Sequence, residues 1–458
     1  MSDDPMTHLA FSATDCNPVV EAFLAAQGIA PGSLVLDVHA EDEMLGFATD
    51  AEGGDFDAIG GYFAAGRDVL ATIRQLVQWK LGGFDRLGAM LDFASGYGRV
   101  TRWLRRELPP ERLWVSDIYA GAVDFQRRRF GVNAFLSAAR PQDLAAPRRF
   151  DLIFVASLFT HLPRPSFEAW LARLVGLLEP GGLLVFSVHD AELRELGREM
   201  PADGFLFRAL SESRTLDPEQ YGSTWVSETY VRDAVERLAP GAGCARLPRG
   251  LCHFQDLYLV APHGADFAGL AFDGGPEGVL EHVEARNGTL HLRGWAASLV
   301  PGGRVSQVRA SISNPAGGAA AVAREFYPHA GVGSRYPQLG AAPNVAWSLE
   351  LGLDPRVRFS EAVLLVEAKS ERGVATTLHL GSVESALRRS SEWDLRLAIA
   401  AQQQAAAGRE RAELEARRQQ LAAEALAARV AAMEASFFWR LRDRWFALKR
   451  ALRLTDER

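Results

Sequence analysis

Cysteine is scarce: Cys16, Cys244 and Cys252 are the only three in 458 residues. They form no CxxC pair and no even framework, which argues against structural zinc or a disulfide scaffold and suits a reducing compartment. Long apolar runs are missing too, since none approaches the ~18 residues of a membrane span. The N-terminus has no basic segment followed by an apolar core, so a cytoplasmic protein is expected. Positive charge is not in excess. A formal net charge of −7 argues against nucleic acid as a partner. With 48% hydrophobic and 23% charged residues, the chain is globular and long enough for two or three domains.

Chemistry is concentrated in Leu91-Asp92-Phe93-Ala94-Ser95-Gly96-Tyr97-Gly98-Arg99, where an apolar run ends in an acid and a small-residue loop. Met90-Leu91 reads as the end of a buried strand, and Val100, Trp103 and Leu104 give the next segment helical spacing. Glycines at 96 and 98 let backbone approach a ligand, and the helix behind them points free N–H groups at whatever is bound. A second strand, Leu113-Trp114-Val115-Ser116, ends at Asp117, where open α/β nucleotide sites place a ribose-binding carboxylate. The nicotinamide fingerprint would need a small residue at Arg99 or Thr101, depending on register, and neither supplies it, which disfavours a dehydrogenase.

The pattern acid, apolar, small, x, Gly, x, Gly resembles motif I of class I S-adenosylmethionine-dependent methyltransferases. Phe150 to Val155 with the following Phe159-Thr160-His161-Leu162 resembles that family's fourth strand and loop. Glu179-Pro180-Gly181-Gly182 before Leu183 to Val188 resembles the turn into its fifth strand. The resemblance implies S-adenosylmethionine as cofactor, with Ala94, Gly96, Gly98 and Ser157 lining it, Asp117 binding the ribose hydroxyls and Asp92 shaping the methionine end. Ala94 departs from the family, which usually has glycine there. A plainer reading, in which the glycines serve only helix packing, stands beside it.

The expected architecture is α/β: a Rossmann-like sheet over 86–262, preceded by a helical cap over 1–85, followed by a β-sandwich over 263–383 and a long helix over 384–458. In the cap, Val69, Leu70, Ile73, Leu76 and Val77 have helical spacing after a glycine-rich patch from Gly53 to Gly66. Asp42-Glu43-Met44 and Tyr62-Phe63 resemble the lead-in of bacterial members linked to glycan gene clusters. Gly250 to Val260 is similar to the family's closing antiparallel strand. The sandwich is read from short alternating runs such as Leu290, Leu292, Val308, Ala310 and Ile312. Trp295, Tyr327, Tyr336 and Trp347 in it could stack on sugar rings or serve as core. The last segment has no proline and Gly408 as its only glycine. Forty-odd such residues make a helix of roughly 60–70 Å. Its stripe of Leu426, Val430, Met433, Phe437, Leu441, Trp445, Leu448 and Leu452 predicts a coiled coil and a homo-oligomer. The tail from Phe437-Phe438-Trp439, with Arg440, Arg442, Arg444, Lys449, Arg450 and Arg453, is basic on one face and can instead lie on an anionic membrane, at the inner face. Its aromatic-basic pattern is similar to endings of bacterial polysaccharide-assembly proteins.

Methyl transfer needs alignment, water exclusion and, for a hydroxyl acceptor, a base. His161, after the fourth strand at the carboxyl edge of the sheet, is the first candidate. His253 and Asp256 come second and His189-Asp190 third; no metal is expected. The resemblance to glycan-linked members implies O-methylation of a sugar or glycan in surface polysaccharide assembly. The alternatives are a scaffold retaining the fold without catalysis, and a methyltransferase of a lipid or small metabolite.

Overall fold

Capping chemistry starts the first helix of the chain. Asn17 accepts from the N–H groups of Val19 (2.9 Å) and Val20 (3.2 Å), and Pro18 opens α1 (Pro18–Ala26) with its φ already helical. The two strands β1 (Leu9–Phe11) and β2 (Val38–His39) pair antiparallel beside it, and α2 (Asp55–Leu81) packs on α1. The computed structural model describes residues 9–46, 55–193, 199–211, 213, 215–263, 266–314, 317–354, 357–435 and 437–452. Gly53 and Gly54 of the glycine-rich patch, the side chains of Phe437 and Phe438, and Arg453 of the basic tail lie outside them.

The central sheet contains β3 (Met90–Phe93), β4 (Leu113–Asp117), β5 (Asn133–Leu136), β6 (Phe150–Val155) and β7 (Leu178–Asp190), all parallel. An antiparallel hairpin, β10 (Gly243–Leu251) and β11 (Gln255–Ala261), closes it, so the order is β10-β11-β7-β6-β3-β4-β5. A short pair, β8 (Phe205–Arg208) and β9 (Ser223–Val226), extends the carboxyl end of β7, with His189 opposite Trp225. Continuous apolar runs such as Leu152-Ile153-Phe154-Val155 are buried because helices cover both faces. Those helices include α3 (Thr101–Leu104), α4 (Ala120–Phe130), α5 (Arg164–Gly176) and α6 (Glu228–Leu238). Strand order reverses direction between β3 and β6, which opens the crevice where such sheets bind ligands.

Two four-stranded sheets follow. One runs β12-β13-β17-β16, with β12 at Pro276–Arg286, β13 at Thr289–Ser298, β16 at Tyr327–Pro328 and β17 at Asn344–Gly352. The other runs β15-β14-β18-β19, with β14 at Val305–Asn314, β15 at Gly317–Ala323, β18 at Val363–Ser370 and β19 at Ala375–Ser382. Leu290, Leu292, Val308, Ala310, Ile312, Leu349 and Leu364 fill the space between them. The short helix α7 (Ala330–Arg335) links β16 to β17. Trp295, Tyr336 and Trp347 are 6%, 4% and 2% exposed, so burial removes three of the four aromatic candidates from a carbohydrate surface. Tyr327 alone of the four is exposed.

The sandwich is fused to the cap. Val363, Leu365 and Leu380 belong to the same apolar cluster as Val19, Phe23 and Phe63. Arg67 of α2 reaches Glu367 (2.7 Å) and Thr377 (2.8 Å), and Asp57 accepts from the Ser382 N–H. This first unit spans 1–388; the second spans 389–458. The helix α8 (Val383–Glu434) runs into the second unit, where α9 (Phe437–Ala451) follows it.

Candidate active site

The loop after β3 turns within a few residues, and three of its residues take left-handed backbone: Ala94 (φ +57°), Gly96 (φ +56°) and Gly98 (φ +84°). Ala94 thus adopts the conformation that a glycine would hold without strain. The two glycines have different reasons to be glycine. A Cβ on Gly98 would run into the Phe130 ring and Gln126, so that residue admits α4 against the loop. A Cβ on Gly96 would meet nothing within 4 Å. Helix packing therefore accounts for Gly98 and leaves Gly96 facing open space at the carboxyl edge of the sheet.

Asp117 ends β4 beside this opening. Its carboxylate accepts from the Gly96 N–H (2.8 Å) and the Tyr119 N–H (3.0 Å). Burial raises its pKa above the usual carboxylate range against those backbone donors, which act the other way. Each oxygen accepts one of these bonds and keeps further acceptor capacity. Ile118, next in sequence, is 40% exposed and forms an apolar shelf. Asp92 lies behind the loop, buried and accepting from Thr101 Oγ1 (2.9 Å). Desolvation, with the Asp117 charge nearby and opposed by the Thr101 bond, pushes its pKa up to about 7.

Residues distant in sequence complete the edge. Gln126 of α4 donates to Ser95 Oγ (2.8 Å) and Gly96 O (2.7 Å), holding the loop in place. The Tyr97 hydroxyl donates to Glu41 of the cap (2.6 Å). Ser213, between β8 and β9, donates to Glu43 (3.2 Å) and lies 3.1 Å from the Tyr119 hydroxyl. Sequence reasoning missed Gln126, Tyr119, Glu41 and Ser213, because nothing local ties them to the glycine loop.

At the ends of β6 and β7, Ser157 also has left-handed backbone (φ +58°). Its N–H donates to Ser187 Oγ (2.7 Å), and its hydroxyl pairs with the Gln255 amide (3.1 Å to Oε1). His161 is 8% exposed, with Nδ1 bonded to Gly222 O at 2.8 Å. A carbonyl only accepts, so Nδ1 carries a proton, and in the neutral ring the lone pair belongs to Nε2. The segment entering β9 is zipped onto this loop by Gly222 N–H to His161 O (2.8 Å) and Thr224 N–H to Thr160 O (2.7 Å). Tyr221 stacks on the His161 ring at 4.5 Å between centroids, and His189 lies 6.3 Å away. His189 in turn meets Trp225 (6.0 Å) and Phe254 (5.5 Å). Burial and the neighbouring His161 push the His189 pKa down to about 4. The His161 ring is thus set among aromatic side chains with Nδ1 tied to the Gly222 carbonyl.

The other two proposed bases are placed differently. Asp256 is buried in β11, where Arg246 Nε (2.6 Å) and the Arg249 N–H (2.8 Å) occupy its two oxygens. His253 sits in the strained β10–β11 turn, with left-handed Arg249 (φ +51°), Cys252 (φ +51°) and His253 itself (φ +57°). It lines a separate cavity with Asp68, Thr72, Gln75 and Asp273, against the cap and sandwich. The structure therefore groups Asp92, Ala94, Gly96, Gly98 and Asp117 at one loop and Ser157 and His161 at the next strand ends, and leaves His253 and Asp256 apart.

Residues 90–182 match the family described as a methyltransferase domain. Among solved structures, the chain is similar to DhpI in complex with S-adenosylhomocysteine, at 19% identity over 48% of this chain and 96% of that one, TM-score 0.32. It is similar to Streptomyces venezuelae DesVI at 16% identity over 49% of this chain and 98% of that one, TM-score 0.35. It is also similar to the plantazolicin methyltransferase BamL, at 13% identity over 54% and 96%, TM-score 0.33. The residues present fit S-adenosylmethionine: open space over Gly96 for the chain of the ligand, acceptor capacity on Asp117 for ribose hydroxyls, and the Ile118 shelf for an aromatic base.

Proposed function

We propose that this S-adenosylmethionine-dependent methyltransferase transfers its methyl group to a hydroxyl of a sugar or glycan chain. The observation that carries this reading is His161, anchored through Nδ1 on Gly222 O beside Tyr221. The bound cofactor supplies a methyl group on a sulfonium, which needs no Lewis acid to be electrophilic. His161 Nε2 would take the hydroxyl proton as the acceptor oxygen bonds to the methyl carbon and the methyl–sulfur bond breaks, its electron pair leaving on the sulfur as a neutral thioether. The imidazolium so formed stays oriented by the Gly222 carbonyl. Tyr221, Trp225 and Phe254 offer the flat apolar surfaces on which the C–H faces of a pyranose rest, and they exclude water from the transfer. Ser157 and Gln255 position the loop between cofactor and acceptor. In the same reading, copies of the chain associate through α8, whose Leu414, Leu421, Leu426, Val430 and Met433 are all exposed.

The test is methyl transfer from labelled S-adenosylmethionine to a panel of nucleotide sugars, oligosaccharides, lipids and small hydroxylated metabolites. Label in the sugar, abolished by His161→Asn, supports the proposal. Label confined to lipid or metabolite acceptors, or cofactor binding with no transfer to any acceptor, contradicts it.

A further inference from the structure

The helix α9 (Phe437–Ala451) has an unusual charge distribution for a chain of net charge −7, with Arg440, Arg442, Arg444, Lys449 and Arg450 set against one carboxylate, Asp443. Four of its apolar residues form a stripe, with Trp439 and Phe446 lying off it. Leu441, Trp445 and Leu448, with Leu452 just past the helix end, follow at spacings of four, three and four, so they share one face of a helix with 3.6 residues per turn. They are 52%, 56%, 51% and 58% exposed.

The cations are placed with respect to that face. Arg442 and Lys449 each follow a stripe residue and so border it on one side. Arg440 and Arg444 each precede one and border it on the other. Asp443, two positions from both Leu441 and Trp445, and Arg450, two positions from both Leu448 and Leu452, lie on the far side. The long basic side chains stack on the aromatics, with the Arg442 guanidinium 3.6 Å from the Trp439 ring and Lys449 Nζ 5.7 Å from that of Trp445. Arg440 additionally donates to Ala435 O (2.9 Å), fixing the start of the helix against the end of α8.

From this arrangement we propose that α9 is a docking helix for the surface of an anionic phospholipid bilayer. An apolar stripe with cations along both borders lets the leucines and Trp445 enter the acyl boundary while the basic groups reach lipid phosphates on either side. A tryptophan on such a face sits at headgroup level. Fifteen residues rise about 22 Å, short of the ~30 Å hydrocarbon core, so the helix lies in the surface and does not cross it. Charge complementarity favours this occupant over a second α9. Two parallel copies joined along the stripe would set the bordering cations of one against those of the other.

Sedimentation of the full chain with vesicles tests the proposal, comparing phosphatidylcholine alone with phosphatidylcholine mixed with phosphatidylglycerol, alongside the mass of the assembly in solution. Partitioning onto the anionic vesicles is expected to exceed that onto neutral ones by about tenfold or more. The pair Trp445→Ser/Leu448→Ser and the pair Arg442→Glu/Arg444→Glu are each expected to lower it about tenfold, with the assembly mass unchanged. Equal partitioning of the wild type and both variants overturns the proposal. A fall in assembly mass on Trp445→Ser/Leu448→Ser without loss of vesicle binding assigns the stripe to a second copy and also overturns it. Loss of binding in the arginine variant alone would mean a generic polyanion contact, with the same consequence.

Discussion

Replacing Ala94 by glycine should stabilise the protein, against the usual direction of such a change. Ala94 holds φ +57° in the loop after β3. Left-handed backbone costs a residue with a Cβ about 1–2 kcal/mol. Glycine relieves that cost but loses about 0.5–1 kcal/mol more backbone entropy on folding. The balance is a gain of about 0.5–1 kcal/mol. A gain of that size corresponds to a rise of roughly 1–3 °C in Tm for a unit this large. Urea unfolding followed by tryptophan fluorescence measures it, provided the slope with denaturant is unchanged between variants. The control is Ala234→Gly, fully buried in the middle of α6, where ordinary helix propensity predicts a loss of about 1 kcal/mol. If Ala94→Gly destabilises as much as the control, the loop is not strained at this position and the reasoning about it is wrong.

Other perturbations probe separate parts of the molecule. His161→Asn should lower kcat about 10²–10³-fold while leaving cofactor affinity in place, and an equal loss of cofactor affinity would count against a proton-transfer role. Asp92 has a folded-state pKa raised from 3.8 to about 7, so its unfavourable ionisation makes stability fall as pH rises between those values. Asp92→Asn should remove that fall, gaining on the wild type by up to about 4 kcal/mol across the window, whereas a pH-independent difference in paired denaturant melts would refute it. Arg67→Ala strips the buried partner from Asp68 and Glu367 where α2 meets the sandwich. It should cost about 3–5 kcal/mol in chemical denaturation, and a cost below about 1 kcal/mol would mean the sandwich does not depend on this ion pair.

What the sequence revealed follows the range of the interactions involved. The strand, glycine loop and acid of Leu91–Arg99, and the second acid at Asp117, were legible because each is a local pattern with a period or a turn behind it. The fate of the sandwich aromatics was not legible. Whether Trp295 or Trp347 faces in or out depends on pairing with strands 50 residues or so away, and both point into apolar clusters. The orientation of His161 rests on Gly222, 61 residues later, and the join of cap and sandwich on Arg67 and Glu367, 300 residues apart. Asp256 read as a candidate base because its position at the sheet edge was visible, while its capture by Arg246 across the hairpin was not. Gly98 shows the opposite case, in which a residue of the recognised motif is required by the ring of Phe130 rather than by open space.

S-adenosylmethionine is expected to occupy the opening over Gly96, bounded by Asp117. Isothermal titration of the full chain with S-adenosylhomocysteine tests it most directly, with Gly96→Val introducing a branched side chain into the opening. Saturable one-to-one binding is expected of the wild type, with its loss in a Gly96→Val protein that still unfolds cooperatively. No heat of binding at millimolar ligand, or undiminished binding by the folded valine variant, would contradict it.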